Sequence, residues 1–399
     1  MVDSQSNRRP RNLQLDCLRG IAILLVICRH TILFRVPGWD ALLVQFGWAG
    51  VDLFFVLSGF LISGLLFSEY RQNNSIRFGR FAIRRALKIY PAFYALVLLT
   101  LLIRLIYHSP VPILAPFLHD VFFLQSYFPG TYGHFWSLSV EEHFYILLPL
   151  LMYLMIRRSS RGQANPFCLF PAIFVFTAIA LLLARLWTAS HIGPFSWQKH
   201  LFPTHLRIDS LLFGVLLSYW AQFHSQAFWG FVRPRYPLFL LVGIFLISPS
   251  LILTQETPWM YTYGFSLLYL GFGAILLGAL GAPIELMPGA FQFFARILAF
   301  VGGFSYSIYL WHIPLLIFLW SYGILRKPYF GIGAFVAGSI VLGILTSELF
   351  EIPAIRLRDR LFPQTAAKVQ VHGGDWTTRT ELGINAENSK PASSFNPLN

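Results

Sequence analysis

Arg19 and His30 lie eleven residues apart in the first apolar stretch of the chain. Eleven residues make close to three helical turns. On one helix the two side chains therefore face nearly the same side, about 16 Å apart along the axis. Arginine holds phosphate oxygens well, and histidine accepts a proton near neutral pH with little tuning. A phosphate kept at Arg19 would let an extended pantetheine arm run up the helix towards His30. The structural alternative makes Arg19 an anchor at the cytoplasmic face and His30 a histidine bonded to another helix. For these two residues alone, both readings stand.

The other ionisable groups within or beside apolar stretches sort into two layers. Arg19 is joined near one end by Arg84, Arg85 and Lys88, while His30, Asp52, Glu141, Glu142, His143, Arg207, Asp209 and His312 fall towards the other. Such groups are expensive inside a membrane and tend to mark function. A basic layer suits an anionic donor, and a layer of histidine, carboxylate and arginine suits proton transfer. Each residue also has a plainer role. Ser137 or Ser139 would cap the helix that carries Glu141 and Glu142, with a first-turn carboxylate favoured by the helix dipole. Asp52 with Arg207 reads as a structural pair, and Asp209 is an equal candidate for the counter-ion of Arg207. His312 either orients a catalytic group or bonds a neighbouring helix, and the basic run also suits lipid headgroups.

Positioning these groups falls to membrane helices. Hydrophobic residues make up 56% of the 399 residues and charged ones 12%, at a mean hydropathy of +0.61. A soluble domain carries about a quarter charged residues, so this chain cannot cover a water-facing surface. Apolar stretches of spanning length recur along it, and each must satisfy its own backbone as a helix. The pattern predicts an all-α, polytopic membrane helical bundle of about ten transmembrane helices: Leu15–Phe34, Phe46–Phe67, Ile89–Tyr107, Val140–Ile156, Cys168–Trp187, Leu206–Trp220, Leu238–Leu253, Phe265–Ala282, Ile297–Trp320 and Ile332–Ile352. Pro112–Phe128 is apolar but broken by Pro, His and Asp, and reads as re-entrant or interfacial.

A cytoplasmic N-terminal segment (1–14), a membrane domain (15–362) and a polar, disordered cytoplasmic tail (363–399) are expected. The opening residues are polar and basic, without a signal-peptide cleavage site. With both termini inside, 22 of the 30 Lys and Arg residues fall on the cytoplasmic side, which accounts for the net charge of +13 without nucleic acid. Cys17, Cys28 and Cys168 lack metal or disulfide spacing and read as packing residues. No phosphate loop, nucleophile elbow or metal helix is present, so no metal and no resident cofactor are expected.

Taken in order, these motifs resemble the acyltransferase-3 family of bacterial inner-membrane O-acyltransferases over roughly residues 13–362. Leu15-Asp16-Cys17-Leu18-Arg19-Gly20 with His30 is similar to its first helix, and Gly50-Val51-Asp52-Leu53-Phe54-Phe55-Val56-Leu57-Ser58-Gly59-Phe60 to its second. Arg84-Arg85-Ala86-Leu87-Lys88-Ile89-Tyr90-Pro91 resembles its basic motif, with lysine where arginine is usual. Ser137-Leu138-Ser139-Val140-Glu141 matches its serine-to-glutamate motif, with His143 where glutamine is common. Arg207-Ile208-Asp209 and Ser305-Tyr306-Ser307-Ile308-Tyr309-Leu310-Trp311-His312 complete the set.

The resemblance implies transfer of an acetyl or other short acyl group from acyl-CoA, as co-substrate, to a hydroxyl of a saccharide or glycoconjugate. Family acceptors include lipopolysaccharide, exopolysaccharide and peptidoglycan. It points to His30 and Glu141 as catalytic, to Arg19, Arg84, Arg85 and Lys88 as donor-binding, and to Asp52, Glu142, Arg207, Asp209 and His312 as supporting. It also implies a one-component mechanism in the inner membrane. The competing reading is a transporter or flippase with charges around a midplane site, although no internal repeat is visible.

Overall fold

The computed structural model describes residues 12–31, 41–108, 113–159, 165–324 and 327–362. The tail expected at 363–399, and residues 1–11 of the expected N-terminal segment, lie outside the described residues. Every regular element among those described is helical. Twelve helices have ten residues or more: α1 Leu13–His30, α2 Gly50–Asn73, α3 Phe78–Ile106, α4 Trp136–Arg158, α5 Phe170–His191, α6 Ile208–Phe223, α7 Tyr236–Ile247, α8 Phe265–Gly281, α9 Gly289–Gly303, α10 Ser305–Ser321, α11 Pro328–Thr346 and α12 Ile352–Leu361.

Among the described residues all ten expected spans fall on helices, residues 32–34 of the first lying outside them, but the count of ten needs correction. Seven helical segments among the described residues are long and apolar enough to cross a membrane, or eight if α9 and α10 form one span. Two expected spans miss that standard for identifiable reasons. α1 carries Asp16, Arg19 and Arg29 within 18 residues, and α6 has only 16 residues. The expected span at 297–320 is broken, because α9 and α10 meet at Phe304 with a bend of 70°. The segment read as re-entrant contains a helix of eight residues, Leu114–Val121, too short to cross. Buried Asp120 stabilises the turn after it, accepting from the Thr131 amide at 3.1 Å and from the Gln125 side chain.

Lipid tails are as apolar as leucine, so close backbone packing must hold the helices together. α2 and α6 run alongside in the same direction. Asp52 pairs with Arg207 near their starts, and Phe67 meets Tyr219 and Phe223 near their ends. Between these points Gly59 abuts Leu211, where an added Cβ would stand 1.9 Å from the carbonyl oxygen. α1 and α9 use the same device: a Cβ on Gly20 would lie 2.0 Å from the Leu298 carbonyl oxygen, and one on Gly302 1.9 Å from that of Asp16. Leu241, Ile244 and Phe245 of α7 remain exposed and suit contact with lipid. Cys168 is exposed as well, contrary to a packing role.

Candidate active site

At the start of α3, Arg84 and Arg85 diverge, as neighbours on a helix must, about 100° apart around the axis. Arg84 turns towards α12. It forms an ion pair with Asp359 at 3.0 Å and donates to the Phe362 carbonyl. Arg85 turns inward, donates to the Tyr145 hydroxyl, lies 4.0 Å above that ring and stands 3.8 Å from Glu141. One helical turn on, Lys88 feels the charges of Arg19, Arg85, Glu351 and Arg358. Arg19 itself is paired with Asp16 at 3.0 Å. The residues expected to hold the donor thus gather at one end of α1 and α3, and two of them already engage carboxylates of other elements.

Ser137, Glu141 and Tyr145 succeed one another at four-residue intervals on α4, so they share a face. Glu141 is not a helix-capping residue. α4 begins at Trp136 with no side-chain cap and no acidic residue in its first turn. Glu141 instead accepts from Ser58 of α2 at 3.0 Å and from Tyr145 at 2.6 Å. Neither serine caps the helix: Ser139 donates to the Phe123 carbonyl, and Ser137 contacts the Tyr309 hydroxyl at 2.5 Å. Glu142 takes a separate partner, Tyr90, at 3.1 Å. His143 faces elsewhere, bonding Thr204 at 2.7 Å.

Beyond Ser137 stand three histidines. His30 and His312 approach edge to face with ring centroids 5.0 Å apart, and His312 and His134 at 4.9 Å. The Tyr309 hydroxyl donates to the His134 carbonyl at 2.8 Å, so Tyr309 and Ser137 link this cluster to the glutamate face of α4. The bonds of Glu141 run to Ser58, Tyr145 and Arg85, whereas the ring beside His30 is His312.

To one side, four fully buried charges satisfy one another. Asp52 binds Arg207 at 2.6 Å, as the sequence suggests. Asp209 binds Arg185 at 2.8 Å, and Arg207 also lies 3.7 Å from the centre of the Phe265 ring. These contacts tie α2, α5, α6 and α8 together beside the site.

Sequence reasoning passed over several of these residues. His134 precedes the motif that drew attention, and Arg185 was not singled out. Glu351 gave a clear signal, a carboxylate ending an apolar span. It is buried in a π-helical turn at Ser347–Glu351 and accepts from Ser307 at 2.9 Å and Ser347 at 3.1 Å. Such turns recur at functional sites.

A Staphylococcus aureus (strain COL) protein is 29% identical over 332 residues, covering 77% of this chain and 51% of its own length. The O-acetyltransferase OatA of Staphylococcus aureus (strain NCTC 8325) is 28% identical over 329 residues, with 77% and 51% covered. The peptidoglycan O-acetyltransferase OatA of Listeria monocytogenes is 26% identical over 325 residues, with 76% and 49% covered. The chain thus spans about half the length of the curated relatives it matches. No solved structure matches it. Residues 12–348 match the family described as an acyltransferase domain, and the chain, an integral membrane bundle, belongs to the acyltransferase-3 family.

Proposed function

We propose that this chain is a membrane O-acyltransferase that moves an acetyl or other short acyl group from acyl-CoA to a hydroxyl of a saccharide. The observation that carries the reading is the ordered polar column: Arg19, Arg84, Arg85 and Lys88 at one end, Glu141 in the middle, and His30 with His312 at the other. CoA phosphates fit the basic end, and about 16 Å of α1 between Arg19 and His30 matches an extended pantetheine arm. The Nδ1 of His30 lies 2.9 Å from the Val26 carbonyl. A carbonyl only accepts, so this nitrogen carries the proton and Nε2 keeps its lone pair. Nε2 is thus the base. The acceptor oxygen attacks the thioester carbon, its proton passes to Nε2, the C–S bond breaks, and the thiolate recovers a proton as free CoA thiol. A transient acyl-histidine at Nε2 balances equally well.

The acceptor we favour is the glycan of the cell envelope, peptidoglycan among them, because a relative bears that name. The basic end would face the cytoplasm, with both termini there and the bundle in the inner membrane of a bacterium, as the distribution of Lys and Arg favours. The test uses purified protein in lipid bilayers with acetyl-CoA and peptidoglycan glycan fragments. Acylated glycan and stoichiometric thiol are expected, and His30→Ala should lose about 10²–10⁴-fold of the transfer. Uptake of glycan without ester formation would establish a transporter instead.

A further inference from the structure

Arg358 turns inward on α12 although its neighbours turn out. From Ala354 to Phe362 the less exposed positions are Ala354, Ile355, Arg358 and Phe362, while Arg356, Leu357, Asp359, Arg360 and Leu361 are exposed. The same stripe starts at buried Glu351, which Ser307 and Ser347 bind at 2.9 and 3.1 Å. Seven residues separate Glu351 from Arg358, close to two turns, so the anchored carboxylate sets the side that Arg358 faces. α12 packs on α3. The helical segment Tyr329–Leu361 runs for 33 residues, about 50 Å, against roughly 30 Å of hydrocarbon. Its charged end therefore projects beyond the hydrocarbon, beside the equally basic start of α3.

Asp359 links the two helices. Its Oδ1 accepts from Nη2 of Arg84 at 3.0 Å and from Nε of Arg358 at 3.0 Å, and its Oδ2 from Nη2 of Arg358 at 3.1 Å. Arg358 thus presents the two-pronged fork that arginine offers to carboxylate and phosphate alike, and Arg84 closes on the same anion from α3. The two arginine side chains are only 12% and 17% exposed, whereas the carboxylate between them is 49% exposed. This is a built anion site with a tethered occupant. Its charge is not balanced, since two guanidiniums face one carboxylate and Arg80 acts on Arg84 from one turn earlier. A phosphate monoester carries about −1.5 to −2 near pH 7 and three acceptor oxygens. It satisfies the pair better than one carboxylate can.

We propose that Arg84 and Arg358 form a clamp for a terminal phosphate of the acyl donor's nucleotide, which Asp359 fills until the donor displaces it. Arg84 lies one turn, about 6 Å, outside Lys88 along α3. The phosphates next to the pantetheine therefore meet Lys88 and Arg19, and the ribose 3′-phosphate of CoA meets the clamp. Asp359 moves aside into the solvent it already half faces, and no covalent bond changes. The site then selects acyl-CoA over thioesters that lack this phosphate. Lipid headgroups share the phosphate chemistry and also suit arginines at a membrane surface. An anionic phospholipid, however, offers a phosphodiester with a single charge, no more than Asp359 already supplies. The charge balance favours the monoester.

The inference rests on the acyltransfer reading, and its test separates the two. In phospholipid-free maltoside micelles, acetyl-CoA is compared with acetyl-3′-dephospho-CoA, with peptidoglycan glycan fragments as acceptor. The parent should show a KM at least fivefold lower for acetyl-CoA. Arg358→Ala should bring the two KM values within twofold, by raising the one for acetyl-CoA, with kcat within twofold of the parent. Arg358→Lys, which keeps the charge but not the fork, should lose most of the preference, and Asp359→Asn should widen it. Titration with adenosine 3′,5′-bisphosphate and with adenosine 5′-monophosphate reads the clamp without turnover. The bisphosphate should bind the parent at least fivefold more tightly, and Arg358→Ala should bind the two alike. A parent that treats both donors alike, an Arg358→Ala that keeps the preference, or an Asp359→Asn without effect overturns the clamp. Loss of bisphosphate binding when phosphatidylglycerol is added would assign the arginines to lipid and overturn it too. Tight bisphosphate binding by a parent that forms no ester would overturn the acyltransfer reading and leave the clamp standing.

Discussion

Replacing Asp52 with Asn tests whether the buried charges beside the column are scaffold or chemistry. Asp52 and Arg207 are fully buried and meet at 2.6 Å, and Nε and Nη1 of Arg207 have no other partner. Losing the carboxylate charge leaves a guanidinium without its counter-ion, a cost of about 3–5 kcal/mol in such settings. Two features reduce it. The Phe265 face at 3.7 Å offers a cation–π contact worth about 2 kcal/mol when desolvated, and the Asp209 carboxylate acts on the same neighbourhood. The lower end, about 3 kcal/mol, is therefore expected. Asp52→Leu with Arg207→Met removes both charges and should fall within about 1 kcal/mol of the parent or above it. Denaturant-induced unfolding of parent, both single variants and the pair in one micelle system measures the coupling. If Asp52→Asn costs under about 1 kcal/mol, or the double variant is worse than either single one, the pair is not a structural clasp. A double variant that folds yet transfers nothing would move Asp52 into the chemistry.

Three further outcomes follow from the column. Glu141→Gln should cut transfer by at least tenfold in well-inserted protein, because the amide cannot hold the charge that Arg85 and Tyr145 surround; a near-normal rate would make Glu141 structural. Arg84→Ala should raise the KM for acetyl-CoA with kcat little changed, Asp359→Asn should lower that KM by freeing Arg84, and Arg85→Ala should depress kcat by releasing Glu141. Steady-state kinetics on the three variants decides, and a uniform KM effect would show that the two arginines act together. Reporter fusions after Arg158 and Arg235 should read cytoplasmic and one near Pro129 external; the inverse pattern would reverse donor and acceptor sides.

Much of this was legible in the sequence because charged groups in an apolar chain are conspicuous. Asp52 and Asp209 stood out as the two candidate partners of Arg207, and the structure joins Arg207 to Asp52 and gives Asp209 to Arg185. Helix placement followed from length and hydropathy, since a buried backbone leaves no other option. The failures have specific causes. α1 was counted as a span although Asp16, Arg19 and Arg29 put three charges within its 18 residues, and the break at Phe304 follows Gly302-Gly303, a pair not read as a turn signal. Ser137 and Ser139 looked like helix caps because serine is a good cap, but tertiary bonds to Tyr309 and Phe123 claim both. His134 gave no signal of its own, because only folding sets its ring beside that of His312.

The glycine contacts carry a genetic consequence. Where Gly20 meets Leu298 and Gly59 meets Leu211, the obstacle to any added carbon is a carbonyl oxygen of the partner helix. Every residue has that oxygen, so no substitution at Leu298 or Leu211 can make room. A selection for revertants of Gly20→Ala or Gly59→Ala should therefore return the glycine itself, and compensating changes at the facing position should not appear.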